Sequence, residues 1–457
     1  MHTPKPTALE GAVNARSAAT LRQANFALAV FLLAYILSFV DRQILGLMVD
    51  PIRSDLGLSD LQIGLLQGVA FALLYATMGV PFGMAVDRWS RRNLIIAGVI
   101  VWSIATALCG LAGSFATLFA ARVLVGVGEA TLSPAVHSFL SDAFPPHRLA
   151  RAMSIYTLGI TIGSGMALII GGSVVAMIAE SGATVLPVIG ELRPWQTTFL
   201  VVAAPGLFLA LLIAMIREPA RTSRSAHGPA EVPGIGAILR NFWAHRRAFL
   251  SIHLSSALFG IYGYGITGWY PTLLIRSHQM TAGEAGLWLG LVYLVCGSLG
   301  SIAGGWLSEK FALAGRTDAN LRVVMLAAGT VLVPATLAPL MPSAPLLLAV
   351  FAPACFLFYA YFGCSTAAIQ LASPPMMRGA NSALFLLTNA LVGLSAGMLA
   401  VPMADRWVFG GTGQLGNALA LIAALGCGGA FLAARTGLAA YGELARQSAA
   451  PATQATP

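Results

Sequence analysis

Apolar stretches about twenty residues long follow one another from residue 26 to residue 438, with short polar breaks between them. A stretch of this length crosses a bilayer as a helix. Lipid accommodates only helices and closed barrels, and the stretches lack the two-residue alternation of barrel strands. Charged residues make up only 9% of the 457 residues, too few to cover the surface of a water-soluble protein. We therefore predict an all-α polytopic membrane protein.

The stretches predict twelve membrane-spanning helices in two groups of six. The first group occupies residues 24–216 and the second residues 248–440, separated by a linker at 217–247 that is rich in Arg, Pro and Ser. Residues 1–23 and 441–457 form the two tails. The predicted helices cover 24–49, 61–86, 93–113, 115–140, 150–178, 195–216, 249–275, 283–307, 321–340, 345–371, 377–401 and 416–438.

The basic residues indicate the orientation of the helices. Cytoplasmic loops of membrane proteins carry an excess of Lys and Arg. With a cytoplasmic N-terminus, most of the 26 Lys and Arg fall in the tails, the linker and the loops from even to odd helices. We therefore predict a multi-pass protein of a bacterial-type inner (plasma) membrane, with both termini and the linker cytoplasmic. Because these residues are scattered among loops, the net charge of +9 does not indicate a nucleic-acid partner.

Three ionisable residues, Asp41, Arg122 and Glu129, fall inside predicted membrane helices. A charge at the centre of such a helix costs about 2.5–3.5 kcal/mol, and residues of this kind are usually paired or functional. By the helical rise, Asp41 lies ~25 Å and Arg122 ~27 Å from the cytoplasmic ends of their helices, and Glu129 returns to nearly the same face as Arg122. We therefore predict that Arg122 serves both carboxylates.

This charge group predicts a proton-coupling site. An arginine beside a carboxylate favours the ionised form, and burial without the arginine favours the protonated form. Protonation of Asp41 and Glu129 would then bias the protein between two conformations. The alternative is a static ion pair that braces helices 1 and 4. We interpret Asp142, near the end of helix 4, as a surface charge.

The second group of helices places no acid in the predicted membrane core and offers aromatic and amide side chains instead. Such a set suits an amphipathic cavity with a few hydrogen-bonding groups, although ordinary core and interface aromatics are the alternative for each residue. The candidate lining residues are Tyr262, Tyr264, Trp269, Tyr359, Tyr361, Gln370, Asn381 and Asn389.

Other site types receive little support. The five cysteines lie in apolar stretches without CxxC spacing or a nearby His cluster, which argues against disulfides and metal sites. Walker A, GxSxG and HExxH motifs are absent from the sequence, so we predict neither an enzyme nor a cofactor other than protons as the coupling ion. The expected partners are the bilayer and a lipid or amphipathic substrate, with the monomer as the functional unit.

A motif occurs twice in the chain. G-x-x-x-[DE]-[KR] ends helix 2, starting at Gly83, and ends helix 8, starting at Gly305, about half the chain later. Two bundles of common ancestry are a known transporter plan. The first copy and its extension, Gly83-x-x-x-Asp87-Arg88-x-x-Arg91-Arg92, resembles the loop signature between helices 2 and 3 of the major facilitator superfamily. The resemblance implies the fold of that superfamily, with two pseudo-symmetric six-helix bundles, and a conformational gate at this loop; the alternative role is topology anchoring alone.

Within that superfamily the first half resembles the spinster-type lipid transporters. The resemblance rests on Asp41-Arg42, on the run Arg122-Val-Leu-Val-Gly-Val-Gly-Glu129-Ala, and on Ser-Ile-Tyr156 in helix 5. It implies a proton-coupled carrier of lysophospholipid or sphingolipid-like substrates that works by alternating access. A proton-driven carrier of drugs or small solutes, and a receptor or scaffold that transports nothing, remain as alternatives.

Arg42 follows Asp41 directly and so points about 100° away around the helix. It is a candidate contact for a lipid headgroup or a charge partner for another residue. The alternative is a side chain that snorkels toward the outer surface.

Overall fold

The computed structural model describes residues 8–182, 184–186, 190–219, 235–374, 377–411 and 413–449. Within this part of the chain, twelve helices are long and apolar enough to cross a membrane, which confirms the predicted fold class. We number them span 1 to span 12. Their bounds are Leu21–Leu47, Asp60–Gly83, Arg91–Gly110, Phe115–Ala143, Arg151–Ser181, Pro194–Ala214, Arg246–His278, Ala282–Leu313, Ala319–Leu340, Ala344–Ala372, Ala380–Trp407 and Leu415–Gln447.

Several spans are built from more than one helix. Spans 8 and 11 each contain a π-helical segment, at Tyr293–Gly297 and Asn389–Leu394. A 3₁₀ turn at Ala338–Leu340 ends span 9. The α-helices are α1 (Ala8–Leu47), α2 (Val49–Leu56), α3 (Asp60–Gln67), α4 (Val69–Arg88), α5 (Arg91–Gly110), α6 (Phe115–Glu129), α7 (Leu132–Ala143), α8 (Pro146–Ser181), α9 (Pro194–Ala214), α10 (Ile235–Ala244), α11 (Arg246–His278), α12 (Ala282–Val292), α13 (Ser298–Leu313), α14 (Ala319–Leu337), α15 (Ala344–Ala372), α16 (Arg378–Thr388), α17 (Ser395–Trp407) and α18 (Leu415–Ala449).

Helical structure extends beyond the apolar stretches. Helix α1 begins at Ala8, inside the predicted N-terminal tail, and α18 continues to Ala449, inside the predicted C-terminal tail. Both extensions are rich in Ala, Leu, Arg and Gln, which favour helix, so the helices continue where hydropathy ends. Helix α10 lies within the predicted linker, while residues 1–7, 220–234 and 450–457 lie outside the described residues.

A short antiparallel hairpin, β1 (Thr184–Leu186) and β2 (Gly190–Leu192), connects spans 5 and 6 and is an addition to the predicted all-α architecture.

Each group of six spans packs as its own bundle, and the pairings repeat between the bundles. Span 3 packs against spans 4 and 6, and span 9 packs against spans 10 and 12. Span 2 likewise packs against span 4, as span 8 packs against span 10. This correspondence is the pseudo-symmetry that the repeated motif predicts.

The two bundles meet along spans 5 and 8, where glycines allow the backbones to touch. A Cβ added to Gly165 would lie 2.7 Å from the carbonyl oxygen of Gly290, and one added to Gly290 would lie 2.6 Å from that of Gly165. Spans 2 and 11 also meet: a Cβ at Gly64 would lie 2.7 Å from the carbonyl oxygen of Met398. Larger side chains at these positions would force the bundles apart.

Successive spans run in alternating directions, so the loops between them fall at two opposite ends of the molecule. The start of span 1, the end of span 12 and helix α10 lie at one end, which we call the linker face. The loops between spans 1 and 2, and between spans 7 and 8, lie at the opposite end, which we call the far face.

Candidate functional site

Glycines in span 4 position Glu129 in the interior of the first bundle. A Cβ at Gly126 would lie 2.5 Å from the carbonyl oxygen of Phe71, and one at Gly128 would lie 2.6 Å from the amide nitrogen of Trp102. Span 4 therefore packs tightly against spans 2 and 3. Helix α6 ends at Glu129 and α7 begins at Leu132, so Glu129 lies at a break in the middle of the span.

Glu129 forms a buried ion pair with Arg42. Its Oε2 atom lies 2.5 Å from Arg42 Nη2 and accepts hydrogen bonds of 2.6 Å from Arg42 Nε and from the hydroxyl of Ser38. The second oxygen, Oε1, is buried without a hydrogen-bond partner among the described residues. Removing one member of such a pair leaves an uncompensated buried charge, at a cost of about 3–5 kcal/mol.

Aromatic rings surround the Arg42 guanidinium. Its Cζ atom lies 5.1 Å from the ring centroid of Phe39, 4.6 Å from that of Phe71 and 4.9 Å from that of Tyr75. Cations are attracted to ring faces at these distances. The side chain of Arg42 remains 23% exposed, whereas that of Glu129 is fully buried. Arg42 is thus the member of the pair that an incoming molecule can reach.

Arg122 does not serve both carboxylates, contrary to the prediction. It donates hydrogen bonds to two backbone carbonyls, from Nη1 to Asp41 O at 2.9 Å and from Nε to Leu66 O at 3.5 Å. Among the described residues, no ion pair within 4.0 Å joins its side chain to Asp41 or Glu129. Seven helical residues separate Arg122 from Glu129 by about 10 Å of rise. Arg42 reaches Glu129 instead, because helical side chains point toward the N-terminus of their helix.

Asp41 is buried next to this pair without a comparable partner. Only 2% of its surface is exposed, and its Oδ1 atom has no hydrogen-bond partner among the described residues. An unpaired carboxylate is expensive to bury, whereas the protonated acid loses much less on burial. The structure therefore brings Asp41, Arg42, Arg122 and Glu129 together between spans 1 and 4, with Arg42 as the partner of Glu129. Their role in proton coupling stays a prediction.

The signature loop forms a second charge cluster at the linker face. Arg91 is buried and pairs with Asp142 and with Glu218, whose Oε1 lies 3.1 Å from Arg91 Nε and 2.9 Å from the Arg91 amide nitrogen. The Ser90 hydroxyl donates to the same carboxylate. Asp142 is therefore not a surface charge: its side chain is 3% exposed, because Arg91 brings span 3 against the end of span 4.

The pKa of Glu218 responds to this cluster. Partial burial raises the pKa of the carboxyl, but hydrogen bonds from Ser90 and from the Arg91 amide and guanidinium outweigh burial and hold it below the ordinary value of 4.5. The carboxylate is therefore ionised at neutral pH and ties the segment after span 6 to the start of span 3.

The remaining residues of the loop signature are less constrained. Arg88 is exposed, and Arg92 donates from Nη1 to Ile216 O at 3.3 Å. In the described part of the chain, no atom lies within 4 Å of the Cβ position of Gly83. The side chain of Asp87 lies outside the described residues. The gate role of this loop stays a prediction.

An ion-pair cluster that the sequence reasoning missed joins the bundles at the far face. Arg276 of span 7 contacts Asp50 in α2, with Nη2 to Oδ1 at 2.7 Å, and Asp60 at the start of span 2, with Nη1 to Oδ2 at 2.8 Å. Arg53 lies 3.8 Å from both carboxylates. The available signal was the occurrence of both acids and Arg276 in loops that the topology places on one face.

Most of the candidate cavity residues are packed inside the second bundle. Tyr262 and Tyr361 contact the rings of Phe259 and Phe358. Trp269 is fully buried, and its Nε1 donates to Met398 O at 3.0 Å, so it supports the contact between spans 7 and 11.

The other candidates differ in exposure. Asn381 and Tyr359 are buried, Tyr264 and Asn389 are half-buried, and Gln370 is exposed and donates to the Ser382 hydroxyl at 2.9 Å. Tyr264 also lies within electrostatic range of Arg42. Cavity lining stays a prediction for all eight residues, and the positions of Tyr264 and Asn389 suit it best.

Metal-ligating residues do not cluster in the described part of the chain. No group of three or more His, Cys, Asp or Glu residues there could hold a metal ion. The five cysteines are free thiols, and four of them are buried.

Comparison with known proteins identifies the family. The sequence model of the Major Facilitator Superfamily matches residues 31–398. The chain is 30% identical to an MFS-type efflux pump of Mycolicibacterium smegmatis over 408 residues, which cover 88% of this chain and 90% of the pump. It is also 30% identical to protein spinster homolog 1 of Homo sapiens over 274 residues, which cover 56% of this chain and 47% of the human protein.

Solved structures extend the similarity to the fold. A bacterial homologue of the human lysosomal transporter spinster, in an inward-facing and unoccupied conformation, is 28% identical and matches with a TM-score of 0.75 over 94% of this chain and 99% of that one. A D-xylose–proton symporter shares the fold at 16% identity, with a TM-score of 0.64 over 88% of this chain and 96% of that one. The chain therefore belongs to the major facilitator superfamily, a family of transporters rather than enzymes, and is spinster-like in sequence and fold.

Proposed function

We propose that this transporter is a secondary active carrier that couples protons to the movement of an amphipathic lipid, such as a lysophospholipid or a sphingolipid-like molecule. Protons are the only coupling ion, and no cofactor is required. The proposal rests on one observation above all: Glu129 and its partner Arg42 are held in the membrane interior beside a second buried carboxylate, Asp41. A buried pair of this kind is a costly arrangement for a protein that transports nothing.

The geometry supports a specific order of events. Arg42 is bound to Glu129 while that carboxylate is ionised. A proton on Glu129 cancels its charge and releases the guanidinium, which stays in place against Phe39, Phe71 and Tyr75. The released guanidinium can then bind the phosphate or carboxylate of a substrate, for which its planar fork is well shaped. Protonation of Glu129 and headgroup binding by Arg42 therefore favour each other.

Asp41 contributes a second protonation site in this scheme. Its Oδ1 atom is buried without a hydrogen-bond partner among the described residues, so a proton placed there breaks no existing hydrogen bond. Arg122 positions the Asp41 backbone through its hydrogen bond to the carbonyl oxygen, rather than by pairing with the carboxylate. We propose that Asp41 gains or loses its proton when spans 1 and 4 move relative to each other.

The bundle interface supports alternating access. At the far face, Arg276 joins the bundles through Asp50 and Asp60. Span 5 packs closely against α12, the far-face half of span 8, and only lightly against α13, the linker-face half of the same span. The molecule is thus held together at the far face and less closely packed at the linker face. With the linker face in the cytoplasm, as the basic loops predict, this is an inward-facing conformation in a bacterial-type inner membrane.

The surroundings of the site favour a substrate with a charged head and an apolar body. Arg42 offers the cation, while the nearby rings of Phe39, Phe71 and Tyr75 offer apolar contact. Tyr264 and Asn389 of the second bundle add partly exposed aromatic and amide groups. A small, highly hydroxylated solute would leave much of this aromatic surface unused.

A second candidate function is proton-driven drug efflux. It is favoured by the 30% identity to the mycobacterial MFS-type efflux pump, which extends over 90% of that pump. An amphipathic drug could use the same aromatic surface. A cationic drug, however, would be repelled by Arg42 once Glu129 is protonated, so the two candidates differ in the substrate charge they require.

The test uses purified protein in proteoliposomes with an imposed pH gradient. Labelled lysophosphatidylglycerol, a cationic dye and a labelled sugar acid are compared as substrates. We expect gradient-dependent movement of the lysolipid in the wild type and its loss in Glu129→Gln. Glu180→Gln, an exposed acid at the far end of span 5, is the matched control and should retain transport.

Other outcomes separate the alternatives. Gradient-dependent movement of the dye alone would replace the lipid proposal with efflux. Lysolipid movement that ignores the gradient, in wild type and variant alike, would contradict proton coupling. A lack of movement for every class of compound would favour the receptor or scaffold alternative.

A further inference from the structure

A cavity of about 350 Å³ lies at the linker face, away from the charge site of the first bundle. It lies between the start of span 7 and the end of span 12. Its polar lining comes from His245, Arg246, Arg247, Glu443 and Gln447. Nothing in the transport scheme above uses these residues.

The cavity carries an excess of positive charge. Arg246 and Arg247 are exposed, and neither forms an ion pair or a side-chain hydrogen bond with another described residue. The one acid of the lining, Glu443, is already paired with Arg446 at 3.2 Å and accepts a hydrogen bond from Gln447. Two arginines therefore remain available to an anion.

An apolar surface continues from the cavity toward the membrane. Leu250 and Leu254 follow Arg246 at intervals of four residues in span 7, so all three side chains lie on one face of the helix. The two leucines are 45% and 51% exposed. Trp243, near the end of α10, is 59% exposed. It lies two residues before His245, the residue that precedes span 7.

Helix α10 packs against the start of span 7 through aromatic contacts. Its Phe242 stacks on Phe249 of span 7, with ring centroids 5.4 Å apart, and contacts His253 at 5.5 Å. Trp243 therefore stays beside the first turn of span 7. Exposed tryptophans at helix ends are typical of the membrane–water interface.

We propose that this cavity binds the headgroup of an anionic phospholipid from the leaflet at the linker face. The guanidiniums of Arg246 and Arg247 together hold the phosphate, and an acyl chain lies along Leu250 and Leu254. A free phosphate would use the arginines but not the leucines, and a zwitterionic lipid would use the leucines but gain little from the arginines. The combination of charge and apolar stripe therefore selects an anionic lipid. The inference stands independently of the transported substrate.

The test is native mass spectrometry of the full-length protein with phosphatidylglycerol or phosphatidylcholine of the same acyl chains. The wild type should bind phosphatidylglycerol more tightly, and Arg246→Gln/Arg247→Gln should reduce that preference about tenfold. Arg246→Lys/Arg247→Lys keeps both charges and should retain most of the preference. Arg316→Gln/Arg435→Gln removes two exposed charges from outside the cavity and should leave it unchanged.

A second measurement uses the wild-type protein and does not depend on the folding of the arginine variants. Phosphatidylglycerol brominated on its acyl chains should quench the fluorescence of Trp243, identified by comparison with Trp243→Phe, more strongly than brominated phosphatidylcholine does. Equal quenching by the two lipids would overturn the proposal. So would an unchanged lipid preference in the glutamine variant, or displacement of phosphatidylglycerol by millimolar inorganic phosphate.

Discussion

The first bundle buries Asp41, Arg122 and Glu129 within its helices, whereas the second bundle buries tyrosines and phenylalanines in the corresponding interior. The pairing of spans is the same in both bundles, so the contrast lies in the side chains and not in the backbone plan. In the first bundle, the Arg42–Glu129 pair depends on ionisation and a proton can break it. In the second bundle, the contacts of Phe259 with Phe358 and Tyr361 have no comparable dependence.

On the basis of this difference we propose a division of labour. In this proposal the first bundle, which carries the breakable contacts, responds to protons, and the second bundle, which carries the aromatic contacts, provides a stable wall against which the first bundle moves. Among the described residues, the ion pairs between the two bundles are those of Arg276, which lies at the far-face end of the second bundle and contacts acids of the first. Changes in the two bundles should therefore have effects of different kinds.

The largest effect is expected from Arg42→Gln in the first bundle. The substitution removes the partner of Glu129 and the proposed headgroup contact at once. Because an unpaired buried charge costs about 3–5 kcal/mol, the charge site should be disabled, and transport in proteoliposomes should fall by about 100-fold or more. Arg53→Gln, an exposed arginine beside the far-face acids, is the control and should retain most of the rate. Near-normal transport by the Arg42 variant would contradict the proposal that the first bundle carries the proton-responsive contacts.

A smaller effect is expected where the bundles meet. Arg276→Gln breaks the contacts to Asp50 and Asp60, which are partly exposed and so worth about 1 kcal/mol in total or slightly more. The population open at the far face should rise about tenfold. Spin labels at Ser54 and Gln279, both exposed at the far face, would report the longer distances. An unchanged distance distribution would show that the glycine contacts alone keep this face closed.

In the second bundle, removal of the Tyr262 hydroxyl should impair neither the stability of the protein nor transport. The hydroxyl of Tyr262 is buried without a hydrogen-bond partner among the described residues, whereas that of Tyr293 lies 3.2 Å from the Thr267 hydroxyl. Tyr262→Phe should therefore stabilise the protein against thermal unfolding by about 1 kcal/mol, and Tyr293→Phe should not. Transport by Tyr262→Phe should stay within about twofold of the wild type. A large loss of transport would give Tyr262 a substrate role that this conformation does not display.

The smallest effect concerns the linker-face cluster. The pKa of Glu218 is lower in the folded protein than its ordinary value of 4.5, so its contribution to stability is fully present above that value and disappears as the pH falls through the lowered pKa. Glu218→Gln should therefore lower the melting temperature slightly at pH 7, and the difference should shrink progressively as the pH falls below 4.5. Melting curves of both proteins across this range test the expectation. A difference that persists unchanged at low pH would contradict it.

Hydropathy, the placement of the basic residues and the repeated G-x-x-x-[DE]-[KR] motif were sufficient to predict twelve spans and two bundles. The same signals place Asp41, Arg122 and Glu129 inside helices. They could not show that Arg42 reaches Glu129, because that contact depends on how spans 1 and 4 cross and on the direction in which the side chains point. They also could not distinguish the buried Asp142 from a surface acid, since its burial depends on Arg91 in another span.

Charges in loops were the hardest to interpret. Asp50, Asp60 and Arg276 occur in ordinary polar breaks, and only the three-dimensional packing of the two bundles brings them together. The helices beyond the membrane, such as the start of α1 and the whole of α10, were missed for a related reason. Their helical tendency is expressed without the long apolar run that marks a span.

The central claim is that proton binding at Glu129 and substrate binding at Arg42 favour each other. It is tested most directly by measuring, with a pH-sensitive dye in weakly buffered detergent solution, the protons exchanged when a substrate identified in the vesicle assay is added to the purified protein. We expect the wild type to take up protons on substrate addition near neutral pH, and Glu129→Gln to take up fewer while still binding the substrate. Identical proton exchange in both proteins, or none in the wild type despite saturating binding, would contradict the account.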